Sequence, residues 1–304
     1  MIDMVRFQGE DAPSRKHIGG PATFAYGGVK LFTDSVMQVS NVGADYHQYF
    51  DSWIAKNNVV TDGLKVKCDF CNHSYLAYNE DGTYSGDPSI ERHRDDWIQD
   101  FGYMKTSPEE IGAFTCKGGV KGVYLAQNVD NVFWGKLGKI KQRDGFKMMW
   151  EIEAPSSYKC FMPAVLNALE VADALSINLQ EAQNLFDAKG EAECVRRLGM
   201  LPVALTLFRV GERGLYTITK DQVYFLPSAP SDRVVDPTGC GNCATGGALY
   251  ALGEGEGPLM TGIMANVAAA QNIRQYGVIS DFGAVRDFAV GQARELYNEY
   301  GKAT

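Results

Sequence analysis

Short runs of β-branched and apolar residues alternate with amphipathic segments along most of the chain. The run VMQVSNVG at residues 36–43 precedes HQYFDSWIAKNN, VKGVYLAQ at 120–127 precedes NVFWGKLGKI, and FKMMWEI at 146–152 precedes FMPAVLNALEVA. The run ALSIN at 174–178 continues the alternation, because two helical segments follow it. Strands and helices at this spacing predict a mainly parallel sheet covered by helices.

The C-terminal third predicts more strands and then helices. Residues 201–219 and 222–228 read as strands with a glycine turn, and the sequence after residue 242 is mostly helical. Apolar positions with helical spacing predict buried faces on two of these helices: Leu259, Ile263, Val267 and Ala270 on the first, and Phe288, Ala289, Ala293 and Leu296 on the last.

Two regions break this rhythm. Residues 5–17 and 64–86 alternate like antiparallel ribbon, and Asp81-Gly82 is a typical hairpin turn. They predict a small β lid over one compact domain of residues 1–304, and an exposed lid sheet could pair with a second copy in a homodimer.

Composition narrows the functional classes. The chain has 304 residues, 45% of them apolar, and a formal net charge of −8, so it can bury a large core and should not attract nucleic acid or anionic membranes. Seven scattered cysteines fit reduced thiols. With neither a secretory leader nor eighteen consecutive apolar residues, the sequence predicts a soluble cytoplasmic protein.

The strongest chemical signal is VVDPTGCGN at residues 234–242. Two valines predict the end of a strand, and the closely spaced small residues Gly239, Cys240 and Gly241 predict the start of a helix. The free N–H groups and the dipole of such a start suit a phosphate group. An ordinary tight turn needs glycines as well, so the motifs that accompany it decide between the two interpretations.

Two further motifs accompany it. GGPATFAYGG at residues 19–28 opens a helix, and Asn178-Leu179-Gln180-Glu181 follows a strand. With DPTGCGN, and with SNVGAD at 40–45 and VGERG at 210–214 in matching order, nearly the whole chain resembles the ribokinase-like carbohydrate kinases, the PfkB family. The resemblance implies an α/β, ribokinase-like three-layer sandwich with a small β lid.

The resemblance also implies roles for individual residues in an ATP- and Mg²⁺-dependent kinase. Gly239, Cys240 and Gly241 would form the anion hole for the transferred phosphoryl group. Asn178 and Glu181 would organise magnesium, with Glu181 acting through water. These roles fit phosphoryl transfer, which depends mostly on positioning and charge neutralisation.

The remaining implied roles concern the two substrates. Gly211 and Gly214 would belong to the nucleotide site. Gly19 and Gly20 would let a sugar or nucleoside hydroxyl approach the backbone, and Asp3 would bind sugar hydroxyls if it matches the acidic residue that ends the family's first strand. Only eighteen residues precede Gly19, so either that strand is shortened or the true start lies upstream.

One departure from the family pattern bears on activity. Asn242 stands where the family has the aspartate that takes the proton of the acceptor hydroxyl. An amide cannot accept this proton, and a positioned general base contributes roughly 10² to 10⁴ in rate. The residue favours either a weakened kinase or a non-catalytic nucleotide- or sugar-binding pseudokinase that acts as a sensor or scaffold. The nearest carboxylate in sequence is Asp236.

Other functions are less well supported. Cys240 and Cys243 form a CxxC pair at a predicted helix start, as in thiol oxidoreductases. Cys68, Cys71 and His73 resemble half of a zinc site, but no second pair has suitable spacing. His17, His47 and His93 have no partners recognisable in the sequence that would indicate a catalytic triad.

Overall fold

The computed structural model describes residues 1–7, 15–79 and 105–302. The strands in these ranges are β1 (Ile2–Phe7), β2 (Arg15–Ile18), β3 (Ser40–Gly43), β4 (Leu64–Cys68), β5 (His73–Tyr78), β6 (Gly122–Gln127), β7 (Lys147–Ile152), β8 (Ala174–Asn178), β9 (Leu205–Arg209), β10 (Gly214–Ile218) and β11 (Val223–Pro227). The α-helices are α1 (Pro21–Lys30), α2 (Tyr46–Asn57), α3 (Pro108–Thr115), α4 (Asn131–Asp144), α5 (Met162–Leu169), α6 (Leu179–Phe186), α7 (Glu191–Leu198), α8 (Cys240–Glu254), α9 (Pro258–Asn272) and α10 (Phe282–Tyr300).

The largest sheet has six strands in the order β11-β10-β9-β8-β7-β6. The four strands from β6 to β9 are parallel, while β10 pairs antiparallel with both β9 and β11. The predicted mainly parallel sheet is confirmed. Because parallel strands place their carboxyl ends at one edge, residues at the ends of β7, β8 and β9 lie near one another.

Helices cover both faces of this sheet. On one face Met149 and Leu207 pack in a core with residues of α1, α8, α9 and α10. On the other, Trp150 and Phe208 pack in a second core with residues of α3 to α7. Side chains of a strand alternate between the two faces, so consecutive residues of β7 and β9 enter different cores. The result is the three-layer sandwich that the resemblance implied.

Helices α1 and α8 approach closely because two glycines lie at their contact. A Cβ atom on Gly28 would lie 2.0 Å from the carbonyl oxygen of Cys243, and one on Gly246 would lie 2.1 Å from that of Ala25. Neither position can hold a larger residue without moving a helix backbone. This contact fixes the first half of α8 against α1.

The lid differs from its prediction. The three-stranded sheet has the order β2-β1-β5, and β1 pairs parallel with β5. Strand β4, which was expected in the lid, pairs instead with β3 in a separate parallel pair. After β4 ends, the backbone of Phe70 and Cys71 passes so close to Gly43 that a Cβ on Gly43 would overlap that backbone. The described lid therefore comprises β1, β2 and β5, and the Asp81-Gly82 turn lies outside the described residues.

Three further predictions need correction. The alternative in which a shortened first strand of the family ends at Asp3 is wrong, because β1, which contains Asp3, hydrogen-bonds to β2 and β5 and belongs to the lid sheet. Val234 and Val235 do not end a strand: Val234 is exposed, and the Val235 N–H donates to the carbonyl oxygen of Ile273 after α9. Phe288 on α10 is exposed rather than buried.

None of the described helices combines the length and the apolar character needed to cross a bilayer.

Candidate functional site

Helix α8 begins on a turn that a buried aspartate holds. Gly239 caps the helix with a φ of 72°, and a Cβ there would overlap the ring of Phe24. The carboxylate of Asp236 is fully buried, and its two oxygens accept the N–H groups of Thr238 at 2.9 Å and Gly277 at 3.3 Å. Asp236 thus fixes the turn, and its oxygens are engaged by the backbone.

The first amides of α8 are available to an anion. The Cys240 N–H donates to the carbonyl oxygen of Pro237 at 3.1 Å. Within the part of the chain that the structure describes, the N–H groups of Gly239, Gly241 and Asn242 have no acceptor. The three predicted anion-hole residues are therefore together at the helix start, but Cys240 directs its amide into the turn. Unpaired amides at a helix N-terminus suit a phosphate oxygen.

A buried arginine lies directly beneath this helix start. Arg209 ends β9, and its Nη1 atom is 1.9 Å from the position of a Cβ on Gly241. Its Nη2 atom pairs with Oε1 of Glu151 at 2.7 Å and lies 4.0 Å from Oε2 of Glu181. Its Nε atom is buried without a partner among the described residues. Only Gly at position 241 leaves room for this guanidinium.

The charges in this cluster compensate one another. Burial opposes the charged form of Arg209, but the carboxylates of Glu151 and Glu181 outweigh it and raise the pKa of the guanidinium. Burial raises the pKa of Glu181, and the attraction of Arg209 opposes that shift. The guanidinium next to the helix start is therefore charged, and Glu151 and Glu181 compensate its charge.

Asn178 and Glu181 form the capping box of α6. The Asn178 side chain accepts the Glu181 N–H at 2.9 Å, and the Glu181 side chain accepts the Asn178 N–H at 2.9 Å. Asn178 is opposite Arg209 in the β8–β9 pair, which brings the capping box to the edge of the site. The motif therefore caps a helix, and the carboxylate of Glu181 also lies near Arg209.

Asn242 contacts a tyrosine rather than a charged group. Its Nδ2 atom donates to the Tyr124 hydroxyl oxygen at 3.3 Å. The Tyr124 hydroxyl donates in turn to Oε2 of Glu151 at 2.8 Å. Burial and the adjacent Glu151 raise the pKa of Tyr124 well above its ordinary value. One continuous hydrogen-bonded chain therefore joins Asn242, Tyr124, Glu151 and Arg209.

The three residues predicted to bind the acceptor also lie together. A Cβ on Gly19 would lie 1.8 Å from Oδ2 of Asp3, and the Gly20 N–H donates to the same oxygen at 3.3 Å. Gly20 has a φ of 91°. Burial raises the pKa of Asp3 to about 6. Gly19 thus allows the Asp3 carboxylate, and not only a ligand, to approach the backbone.

The lid joins the two halves of the site. The Thr238 hydroxyl donates to the Tyr78 hydroxyl oxygen at 2.9 Å, which connects the end of β5 to the turn before α8. Burial, and the negative charges of Asp236 and Asp3, raise the pKa of Tyr78. The phenol of Tyr78 therefore lies close enough to Asp3 and Asp236 for their negative charges to disfavour its ionisation.

Gly211 and Gly214 lie in the turn after β9. Both have positive φ angles, 69° and 120°. A Cβ on Gly214 would collide with the carbonyl oxygen of Leu226 at 2.1 Å, whereas Gly211 faces open space. Strand packing explains Gly214, while Gly211 leaves open space beside the end of β9.

The cysteine alternatives lose support. Burial raises the pKa of Cys240 to about 12 and that of Cys243 well above its ordinary value, which is the opposite of an activated thiol. Cys68 and Cys71 direct their Sγ atoms to the carbonyl oxygens of Phe70 and Gly43. Among the described residues no group of three or more potential ligands could hold a metal directly.

Of the histidines singled out from the sequence, His17 lies beside the site, opposite Asp3 in the β1–β2 pair, whereas His47 lies on α2. His47 pairs with Asp51 on α2, and His17 stacks on Tyr276. His93 lies outside the described residues.

Sequence reasoning missed Tyr124, Glu151 and Arg209. A signal for two of them exists, because Glu151 and Arg209 are charged residues near the carboxyl ends of the otherwise apolar strands KMMWEI and LTLFR. Ligands of parallel sheets bind at this edge. Tyr124 carries no such signal, since tyrosine is common in strands.

The chain matches the profile of one protein family over most of its length. The sequence profile described as "pfkB family carbohydrate kinase" matches residues 12–283. None of the curated proteins matches the chain significantly.

Solved structures share the fold. A nucleoside kinase from Burkholderia thailandensis in complex with inosine has a TM-score of 0.68 and 17% identity, over 95% of this chain and 96% of its own. An adenosine kinase from Sinorhizobium meliloti has a TM-score of 0.71 and 16% identity, over 95% and 96%. A ribokinase from Arabidopsis thaliana complexed with ribose and ATP has a TM-score of 0.69 and 16% identity, over 96% of each chain.

Proposed function

The chain belongs to the pfkB family of carbohydrate kinases, and on that premise we propose that it transfers the γ-phosphate of ATP to a hydroxyl of a sugar or nucleoside. The observation that carries this proposal is the start of α8, where unpaired amides and the buried guanidinium of Arg209 converge at Gly241. The amides are unpaired, and the buried Nε atom of Arg209 has no partner among the described residues. Preorganised donors of this kind are the main source of catalysis in phosphoryl transfer.

Each end of the site has one substrate. The transferred phosphate binds at the amides of Gly239, Gly241 and Asn242, and the nucleotide extends toward the turn at Gly211. The acceptor lies on the opposite side, where Asp3, held by the Gly20 amide, binds its hydroxyls beneath the lid. Ribose in the Arabidopsis ribokinase and inosine in the Burkholderia kinase are acceptor-sized ligands of similar folds, which supports a sugar or nucleoside here.

Glu181 fits a role with Mg²⁺ through water. Mg²⁺ usually keeps several waters and uses one or two carboxylates together with substrate phosphates. The described residues offer no direct three-ligand cluster, but Glu181 places one buried carboxylate beside Arg209, near the helix start. When bound, the ion would neutralise phosphate charge. Asn178 holds Glu181 in place through the capping box.

Asn242 favours a second candidate, a pseudokinase that binds nucleotide or sugar without turnover. Its amide donates to Tyr124 and cannot take a proton. The anion site would still bind ATP in such a protein, because the amides and Arg209 do not depend on the identity of residue 242. The two candidates therefore share binding and differ in turnover.

The test measures both properties on one preparation. Purified protein is incubated with ATP, Mg²⁺ and a panel of sugars and nucleosides, and ADP release is followed beside the Asn242→Asp variant. A kinase releases ADP only when its acceptor is present. If ATP raises the melting temperature but no acceptor supports ADP release, the pseudokinase is correct. If ATP neither binds nor reacts, both candidates are wrong.

A further inference from the structure

A carboxylate reaches Asn242 through a single hydroxyl group. Asn242 Nδ2 lies 3.3 Å from the Tyr124 oxygen, and that oxygen lies 2.8 Å from Oε2 of Glu151. Tyr124 and Glu151 come from adjacent parallel strands, β6 and β7, whose side chains meet beneath the start of α8. Asn242, which stands in place of the expected base, therefore contacts a hydroxyl group that is hydrogen-bonded to the carboxylate of Glu151.

Other nearby carboxylates are committed elsewhere. Both oxygens of Asp236 accept backbone N–H groups of the turn. Glu181 accepts the Asn178 N–H in the capping box. Asp3 accepts the Gly20 N–H and lies against Gly19 on the acceptor side. Of these acids, only Glu151 is hydrogen-bonded to a group that contacts Asn242.

Glu151 is unusual for its position. Its side chain is only 7% exposed in a strand whose neighbours are apolar, and a buried carboxylate is costly unless it is paired and hydrogen-bonded. Arg209 pairs with Oε1, so the charge is compensated, and Oε2 receives the Tyr124 proton. Replacing all three residues by apolar ones would fill the same space at lower cost, so packing alone does not explain their presence beside the phosphate site.

Tyr124 is suited to pass a proton rather than to keep one. Its raised pKa keeps the phenol neutral. A neutral hydroxyl can accept one proton while it donates its own, so it needs no stable tyrosinate. The Asn242 amide holds the Tyr124 oxygen from one side and leaves a second lone pair for another donor.

We propose, on the premise that the chain is a kinase, that Glu151 accepts the proton of the acceptor hydroxyl and that Tyr124 relays it in place of a base at residue 242. As the acceptor oxygen bonds to the γ-phosphorus and the bond to the bridging oxygen of ADP breaks, the acceptor proton moves to Tyr124. The proton of Tyr124 moves at the same time to Oε2 of Glu151. The products are the phosphate ester, ADP and a neutral Glu151, which returns the proton to water.

The test is a rescue experiment in two backgrounds. Tyr124→Phe and Glu151→Gln are made in the wild type, and each is made again together with Asn242→Asp. In the wild-type background each change should lower kcat on the order of 10²-fold, the lower end of what a positioned base contributes. KM for ATP should change less than threefold. With Asn242→Asp present, a direct base makes the relay unnecessary, so neither change should lower kcat further.

The matched control is Glu153→Gln, which neutralises a partly buried acid directly after β7 and should leave kcat unchanged. Tyr124→Phe removes one oxygen atom, so it tests the relay even if Glu151→Gln destabilises Arg209. Equal losses in both backgrounds, or no loss in the wild type, would overturn the relay while the kinase assignment stands. Absence of any acceptor-dependent ADP release by the wild type would instead refute the proposed function itself.

Discussion

The guanidinium of Arg209 lies against the backbone of Gly241, with Nη1 1.9 Å from the position that a Cβ of residue 241 would occupy. Glu151 holds the same guanidinium at 2.7 Å from the other side. The arginine therefore has little freedom to move aside. A glycine at the start of α8 is needed here for a side chain as well as for a ligand.

Gly241→Ala should therefore damage the phosphate site. The new methyl group would displace Arg209 from Glu151 and obstruct the amide of residue 241. We expect at least tenfold weaker binding of ATP and little change for adenosine, measured by isothermal titration calorimetry. The matched control is Gly291→Ala in α10, where a Cβ meets nothing within 4 Å. Unchanged ATP affinity in Gly241→Ala would argue against phosphate binding at this helix start.

Arg209→Leu should destabilise the protein strongly. It leaves Glu151 and Glu181 buried without their cation, and breaking a buried pair typically costs about 3 to 5 kcal/mol. The double variant Arg209→Leu with Glu151→Leu should regain part of that loss, because one unpaired charge is gone. Urea denaturation of the three proteins measures both effects. A double variant less stable than Arg209→Leu would contradict this account of the cluster.

Asp3 should make stability depend on pH. Burial raises its pKa from 3.8 to about 6, so between these values the folded state binds more protons than the unfolded state, and stability falls as pH rises. Two pKa units correspond to about 3 kcal/mol. Asp3→Asn should therefore match the wild type near pH 4 and exceed its unfolding free energy by up to that amount at pH 7.

Denaturant titrations at the two pH values measure this difference. The control is Asp221→Asn, which changes an exposed carboxyl group and should shift stability little at either pH. If Asp3→Asn gained no stability at pH 7 relative to pH 4, the inferred burial of a charged carboxylate would be wrong. A loss of acceptor binding in the same variant is expected separately, because the amide carries no negative charge for hydroxyl donors.

The two cysteines of the CxxC pair should be unreactive in the folded protein. Burial raises the pKa of Cys240 to about 12, so almost no thiolate exists at pH 8. Iodoacetamide should modify the exposed Cys116 and Cys160 first, and Cys240 and Cys243 only after unfolding, as mass spectrometry of the peptides can measure. Rapid modification of Cys240 in the native state would revive the oxidoreductase alternative.

The alternation of strands and helices predicted the sheet and its layers because each element carries its own apolar period. Leu259, Ile263, Val267 and Ala270 all lie in α9; the last three are buried and Leu259 packs partly buried against the same core, as their spacing indicated. Strand pairing was less predictable. The alternating sequence of β4 predicted a strand of the lid sheet. Its partner β3 lies 24 residues earlier in the chain (64 − 40), and no local pattern in the sequence specifies that pairing.

The residues of the site also differ in how predictable they were, depending on whether they are close together in the sequence. Motifs contiguous in sequence, such as residues 239–242 and Asn178 to Glu181, could be singled out because one turn or one helix start brings their residues together, although the capping box was not anticipated. Tyr124, Glu151 and Arg209 come from three separate strands and meet only when the sheet forms. Their cluster is a tertiary feature, and a single sequence does not reveal it.

Phosphoryl transfer itself is tested most directly by ³¹P NMR. The wild-type protein is mixed with ATP, Mg²⁺ and the sugar or nucleoside that most increases ADP release, and the spectrum is followed with time. The account predicts a phosphomonoester resonance of the acceptor that grows in step with ADP. Growth of inorganic phosphate alone, or a spectrum that stays unchanged with every sugar and nucleoside of the panel, would contradict it.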